Sequence, residues 1–288
     1  MVTKDSISTW LIRQTTETPT LKYRHSLLTE TIEERQGILP ALKKYFYKAH
    51  EDARRRLTKP FEKSLDPFGE NAEFDPAEGY PHRLHQVTLQ GYFGEVFASL
   101  IARFFDPFGI SGWEVPGFLF RFHTLAFEQL DALRHNDKKA KPIPGRSGDD
   151  CLAFYTDEKG NVLKILYCES KCTLTHRTDL ITDAHEKVGS SEIVSIRQLI
   201  ELLDDYEDDN SIRWSNSLKR LLMNKLVGCD RYNLVNYICG QLPKRDPSWM
   251  SRNTPHNTYK SNHHLEAVEL HISGVAELID EVYRKPYN

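Results

Sequence analysis

The chain has 288 residues, of which 39% are hydrophobic and 27% are charged, a composition typical of a globular protein and not of a disordered one. A formal net charge of -3 argues against a protein that coats nucleic acid by bulk electrostatics, because such domains are usually clearly basic. No apolar run approaches the roughly 18 residues that span a bilayer, and the start of the chain lacks a signal-peptide pattern, so we expect a cytoplasmic protein that does not bind membranes.

The N-terminal part of the chain is predicted to be mostly helical. Residues 29–57 carry apolar side chains at helical spacing, and Pro40 suits the first turn of a new helix. Residues 58–80 are rich in Pro, Gly, Asp and Glu, which is typical of a loop or linker. The sequence therefore predicts an N-terminal helical segment over residues 1–80 and a second unit over residues 81–288.

A long helix is predicted over about residues 86–105. Its apolar positions form one broad stripe that must face a core: Leu89, Phe93, Val96, Phe97, Leu100, Ile101 and Phe104. Its other side carries a strip of small residues that would let another element approach closely: Gly91, Gly94, Ala98 and Ala102. Glu95 projects from the middle of that strip: it is either an exposed helix glutamate or, if this face packs on a sheet, a largely buried one.

A β-hairpin is predicted over residues 149–172, because two apolar runs flank a polar turn. The basic loop before it offers either a phosphate-binding lip or a solvated surface: Lys138, Lys139, Lys141 and Arg146. Helices are predicted over residues 181–188 and 194–203. A strand over residues 265–272 is followed by a helix to residue 283, with Ser273 as its N-cap.

The hairpin brings acidic and basic side chains together. If its turn centres on Lys159 and Gly160, Asp157 faces Val162, and counting outward puts Asp150 opposite Glu169. Since side chains alternate along a strand, Glu169 and Lys171 share one face while Ser170 points to the other.

Opposed carboxylates on neighbouring strands repel each other unless a cation lies between them. Mg²⁺ prefers oxygen ligands and commonly binds through one or two carboxylates together with a substrate phosphate. Lys171 could then orient or deprotonate an attacking water and offset negative charge on phosphorus. Asp150, Glu169 and Lys171 therefore predict a minimal site for phosphodiester hydrolysis.

The run GDDCLAF, the turn, and then ILYCESK resemble the Asp…Glu-x-Lys core of the PD-(D/E)xK nuclease superfamily. The resemblance implies an α/β fold with a central mixed sheet flanked by helices, as in restriction endonucleases. It also implies that Asp150 and Glu169 bind Mg²⁺ or Mn²⁺, with the main-chain carbonyl of Ser170 as a further ligand. Lys171 takes the position of the catalytic lysine, and Glu95 is similar to the helix glutamate that many members add.

One position departs from the superfamily pattern. Asp149 occupies the place of the motif's usual proline, so Asp149 and Asp150 both remain candidates for the metal ligand.

The layout of the whole chain is similar to the HamA-type nuclease subunits of Hachiman antiphage defence systems. This resemblance implies DNA as the substrate and a helicase or other ATPase as the partner. The sequence contains no GxxxxGK[ST] phosphate-binding loop, so another protein would have to open the nucleic acid. The main alternative is a non-catalytic adaptor that keeps the fold but only binds a protein or nucleic acid, and the second is a different metal-dependent enzyme.

Overall fold

The computed structural model describes residues 1–58, 75–120, 126, 128–130, 132–133, 149–190, 194–244 and 247–284. These residues contain a six-stranded mixed β-sheet flanked by helices, together with helices near the N-terminus. The predicted α/β class, with a central mixed sheet and an N-terminal helical segment, is confirmed. In the part of the chain described, no helix is both long and apolar enough to cross a membrane.

The elements follow one another in this order: α1 (Lys4–Trp10), β1 (Leu11–Thr18), β2 (Tyr23–Glu30), α2 (Arg35–Ala49), α3 (Glu51–Thr58), α4 (Gln86–Phe104), β3 (Cys151–Thr156), β4 (Val162–Thr173), α5 (Thr178–Gly189), α6 (Val194–Asp204), α7 (Asp209–Met223), β5 (Asp230–Cys239), β6 (His264–His271) and α8 (Val275–Tyr283).

The strands lie in the order β1-β2-β6-β5-β4-β3. The four inner strands β2, β6, β5 and β4 are parallel, whereas the edge strands β1 and β3 pair antiparallel with their neighbours. Parallel strands are normally covered by helices on both faces, and β5 and β6 are accordingly buried along most of their length. The carboxyl ends of β4, β5 and β6 meet at one edge of the sheet.

Each face of the sheet has its own core. Helix α4 covers one face and packs with residues such as Leu166 and Cys168 of β4. The opposite face carries Ile165 and Tyr167 of β4 and packs against α5, α6 and α7. Helix α4 is apolar almost all round and is buried along most of its length, as expected for a helix enclosed by other elements.

Strands β1 and β2 lie within the segment predicted to be mostly helical, and the sequence analysis did not identify them. They pair with each other, and β2 then pairs with β6, so the N-terminal part of the chain contributes to the central sheet. The proposed boundary near residue 80 stays a prediction.

Two local expectations were wrong. Helix α2 begins at Arg35, so Pro40 lies inside it and not in its first turn. Ser273 is not the N-cap of the last helix, because Gly274, with φ of 61°, directly precedes Val275. Glycine adopts this left-handed conformation without the steric cost that a side chain would add.

Candidate active site at the end of the β3–β4 hairpin

The turn of the hairpin is held by its own polar groups. The Asp157 carboxylate accepts the backbone N–H of Asn161, and Gly160 adopts a left-handed φ of 76°. Thr156, not Asp157, pairs with Val162, so that expected pair was wrong. A β-bulge next to Thr156 then shifts the register by one residue and restores the predicted pairing farther along the strands.

At the other end of the hairpin the predicted register is confirmed. Cys151 pairs with Cys168, which puts Asp150 opposite Glu169. The Asp150 backbone N–H donates to the Cys168 carbonyl at 3.0 Å, and the Asp150 carboxylate accepts the Ser170 backbone N–H at 2.8 Å. β3 begins only at Cys151. Just before that point the Asp150 carboxylate, in place of a backbone carbonyl, accepts the Ser170 backbone N–H of β4.

Glu169 and Lys171 lie on the same face of β4, as the alternation of strand side chains requires. The Lys171 ammonium lies 2.7 Å from Glu169 Oε1. The Ser170 side chain points to the other face, where its hydroxyl accepts from the Asn236 amide at 2.9 Å. The side-chain arrangement expected around the Glu-x-Lys motif is therefore present.

The environment of Glu169 disfavours its charge. The side chain is only 2% exposed. Burial and the adjacent Asp150 raise the pKa of Glu169 to about 7, against the opposing effects of Lys171 and Lys187. Lys187 lies 3.4 Å from the same oxygen, Oε1, that Lys171 contacts. The charges of Lys171 and Lys187 therefore do not fully offset the rise in the pKa of Glu169 that burial and Asp150 cause.

Lys171 is held as a charged group. Burial lowers its pKa, but Glu169 and Asp183 outweigh burial and keep it above the usual lysine range. The Asp183 carboxylate lies 2.6 Å from the Lys171 ammonium and 3.5 Å from Lys187, one helical turn farther along α5. Opposite charges at this spacing share one face of a helix.

The sequence analysis missed Asp183 and Lys187 as members of this site. The available signal was an acid and a base four residues apart on the helix that follows the Glu-x-Lys strand. This pattern is common on solvated helices, so the sequence alone does not place the pair beside Glu169. The structure does so, because α5 packs beside β4.

Asp149 and Asp150 have different surroundings. The Asp149 backbone N–H donates to the Ser195 hydroxyl at 3.0 Å, and that hydroxyl is 2.9 Å from the Asp149 carboxylate. Asp149 thus fastens β3 to the start of α6. The charge of Asp150 instead adds to the effect of burial in raising the pKa of Glu169, and which of the two aspartates would bind a metal stays a prediction.

Glu95 is 2% exposed, so the alternative of an exposed helix glutamate is wrong. It follows Gly94, where an added Cβ would lie 2.9 Å from the Ser170 hydroxyl, so α4 approaches β4 closely at this point. This contact lies on the face of β4 opposite Glu169. The contribution of Glu95 to the site remains a prediction.

His185 of α5 packs away from this charged cluster. Its ring nitrogen Nδ1 lies 2.8 Å from the Ile181 carbonyl, and its ring lies near that of His256. Burial lowers the pKa of His185 to about 4, so the ring is neutral near pH 7. The basic residues considered as a phosphate-binding lip lie outside the described residues: Lys138, Lys139, Lys141 and Arg146.

The donor set fits a hard divalent cation completed by water. Within the described ranges, no three His, Cys, Asp or Glu side chains form a group arranged to hold a metal. Asp150 and Glu169 nevertheless supply two carboxylates, and Mg²⁺ commonly binds proteins through one or two such groups while keeping several waters. The pKa of Glu169 is raised first by burial and then by the adjacent Asp150 charge, and a bound cation would oppose both effects.

Searches of protein-family models and of curated proteins found no match to this chain.

Proposed function

We propose that this protein is a Mg²⁺- or Mn²⁺-dependent deoxyribonuclease of the PD-(D/E)xK type. Its site for hydrolysis of phosphodiester bonds would consist of Asp150, Glu169 and Lys171. One observation carries the proposal. Two buried carboxylates lie opposite each other, one just before β3 and one in β4, and a half-buried lysine contacts one of them from the same face. Few structural roles require two like charges to be buried side by side, because the arrangement costs stability.

The residues divide the work as follows. Asp150 and Glu169 would hold the cation, which when bound supplies Lewis-acid activation of the phosphate and of a water. Lys171, charged because of Glu169 and Asp183, would orient that water and offset negative charge that develops on the phosphate oxygens. The raised pKa of Lys171 favours this role over that of a general base, which must be able to lose its proton near neutral pH.

We propose further that the chain acts as the effector subunit of a bacterial antiphage system beside a helicase. The support is the similarity of its sequence layout to such subunits and the absence from the sequence of a phosphate-binding loop for nucleoside triphosphates.

The test is cleavage of linear duplex, circular duplex and single-stranded DNA by the purified protein in Mg²⁺ or Mn²⁺, with EDTA as the control and RNA as a parallel substrate. We expect metal-dependent strand breaks in DNA that are lost in Glu169→Gln and Lys171→Ala. An Asp149→Asn variant should retain more activity than Asp150→Asn. Binding of DNA without cleavage under every metal condition would instead indicate the adaptor function.

A further inference from the structure

A second group of polar side chains lies at the same edge of the sheet as the proposed metal site. Lys171 of β4 pairs in register with Tyr237 of β5, which pairs with Glu269 of β6. Because the strands are parallel, the three side chains form one row on one face, near the carboxyl ends of the strands. In open α/β sheets this is the edge at which ligands bind.

The middle residue of the row connects it to the loop after β4. The Tyr237 hydroxyl accepts the backbone N–H of Arg177 at 2.9 Å and lies 3.1 Å from His176 Nδ1. The His176 backbone N–H in turn donates to the Gln241 side chain at 2.9 Å. The ring of His176 is therefore fixed close to the end of the strand that carries Lys171.

His176 stacks on Trp249. The ring centroids are 3.7 Å apart and the planes differ by 7°. Both side chains are half-buried, so each keeps part of its surface accessible. Arg177, which follows His176, is exposed and is held by Asp179. A flat aromatic pair thus lies beside an exposed cation at the edge that carries the proposed site.

Glu269 fixes Trp249 in this position. Its buried carboxylate accepts the backbone N–H of Trp249 at 2.8 Å and that of Met250 at 2.6 Å. His25 and His271 also contact this carboxylate, at 3.0 and 3.1 Å. An aromatic pair positioned by a buried, fully engaged carboxylate is preorganised, which lowers the entropic cost of binding a partner.

We propose that the His176–Trp249 pair is a stacking platform for an unpaired base of single-stranded DNA, whose backbone then runs toward Lys171. This inference rests on the proposed nuclease function and deepens it by naming the strand form that the site takes. Aromatic side chains bind single strands by stacking on base faces, and stacked base pairs in a duplex hide those faces. Glu269 acts as a positioning residue for the platform.

The experiment measures binding without cleavage. A fluorescein-labelled oligothymidylate of about 12 nucleotides is titrated with the full chain in EDTA and followed by anisotropy, with a labelled duplex hairpin as the second probe. We expect Trp249→Leu and His176→Ala each to weaken binding of the single strand by about tenfold and to leave the duplex unchanged. Trp249→Phe keeps an aromatic ring and should stay within about threefold of the parent.

Thermal melting checks that each variant is folded, and quenching of tryptophan fluorescence by the oligonucleotide gives a second readout. Quenching should be smaller in Trp249→Phe than in the parent, and this test stands even if Trp249→Leu does not fold. Equal binding and equal quenching in parent and platform variants would overturn the inference.

This titration and the cleavage assay together separate the two proposals. If the parent binds the single strand through the platform but cuts no DNA with any metal, the inference stands and the nuclease function falls. If the parent cuts DNA while both platform variants bind the single strand normally, the nuclease function stands and the inference falls. A parent that binds no single strand also overturns the inference.

Discussion

The charge state of Glu169 depends strongly on the fold. Its pKa rises from 4.5 to about 7 because the carboxylate is buried and faces Asp150. A raised folded-state pKa adds stability that is fully present below the unfolded value of 4.5 and is lost as the pH rises through about 7. In the metal-free protein, Glu169 should therefore contribute less to the free energy of unfolding at pH 8 than at pH 5.

Replacement of Glu169 by glutamine tests this linkage. In EDTA we expect Glu169→Gln to unfold at a higher urea concentration than the parent at pH 8, since the variant removes the charge that burial and Asp150 disfavour. At pH 5 the difference should shrink, because the parent carboxyl is then largely protonated. Parallel stability curves for the two proteins between pH 5 and pH 8 would contradict the assigned shift.

Mg²⁺ or Mn²⁺ should stabilise the parent at pH 8. A ligand that binds only the folded state adds RT ln(1 + [L]/Kd), which is about 2.7 kcal/mol at one hundred times the Kd. We therefore expect the melting temperature to rise with metal concentration in the parent and to stay constant in Glu169→Gln. A parent whose melting temperature does not change at metal concentrations that saturate activity would argue against a site between Asp150 and Glu169.

Asp183 offers a test of how Lys171 is positioned. Asp183→Asn removes one of the two carboxylates that hold the Lys171 ammonium, so we expect kcat to fall by roughly tenfold with little change in KM. Glu186→Gln is the matched control, because Glu186 is an exposed acidic residue of the same helix. Equal losses in the two variants would show that the effect comes from the charge of α5 and not from Lys171.

At the scale of elements, the β3–β4 hairpin was the most predictable part of the molecule. Its two apolar runs and the polar turn between them at Asp157–Asn161 are local, so the register at Asp150 and Glu169 followed from counting. The bulge at Thr156 was missed because a single extra residue leaves little trace in the pattern of side chains.

Helix α4 packs closely against this hairpin at Gly94, and substitutions of glycine test that packing. Gly94→Ala would place a Cβ 2.9 Å from the Ser170 hydroxyl, in a buried position, so we expect a loss of about 1–3 kcal/mol in the free energy of unfolding. Gly91→Ala is the matched control. Gly91 is exposed, and an added Cβ there would meet nothing within 4 Å, so helix propensity should leave stability equal or up to about 1 kcal/mol higher.

Urea unfolding of the two glycine variants measures this difference directly. Activity should follow stability in Gly94→Ala, because any movement of α4 is transmitted to Ser170, which lies between the catalytic candidates Glu169 and Lys171 in β4. If both variants were as stable as the parent, the close packing of α4 against β4 would be wrong.

At the scale of the whole molecule, the sequence predicted the class of the fold but not how its distant parts meet. The pairing of β2 with β6 joins residues from opposite ends of the chain, and no local pattern encodes it. The catalytic candidates Asp150, Glu169 and Lys171 could be found because they lie within one hairpin. Asp183 and Lys187 were missed because no local pattern encodes their contact with that hairpin. Their role depends on a helix that packs across the sheet face.

Glu269 joins these distant parts. Its carboxylate contacts His25 of β2 and His271 of β6 and also accepts backbone N–H groups of the segment that carries Trp249. Burial alone would raise the pKa of Glu269, but hydrogen bonds from His25, His271 and Ser248 outweigh it and hold the pKa well below the usual range. A lowered folded-state pKa gives stability that is present above about pH 4.5 and is lost as the pH falls.

We therefore expect Glu269→Gln to reduce the free energy of unfolding at pH 7 by about 3–5 kcal/mol, because the change removes the charged acceptor from a buried network. Below pH 4.5 the stability of the variant should fall less steeply than that of the parent, since the variant has no carboxyl at this position to protonate. Glu201→Gln, at an exposed position on α6, is the control and should follow the parent at every pH. Urea unfolding between pH 3 and pH 7 measures both effects. A Glu269→Gln protein that matched the parent at pH 7 would show that the network does not hold β2, β6 and the Trp249 segment together.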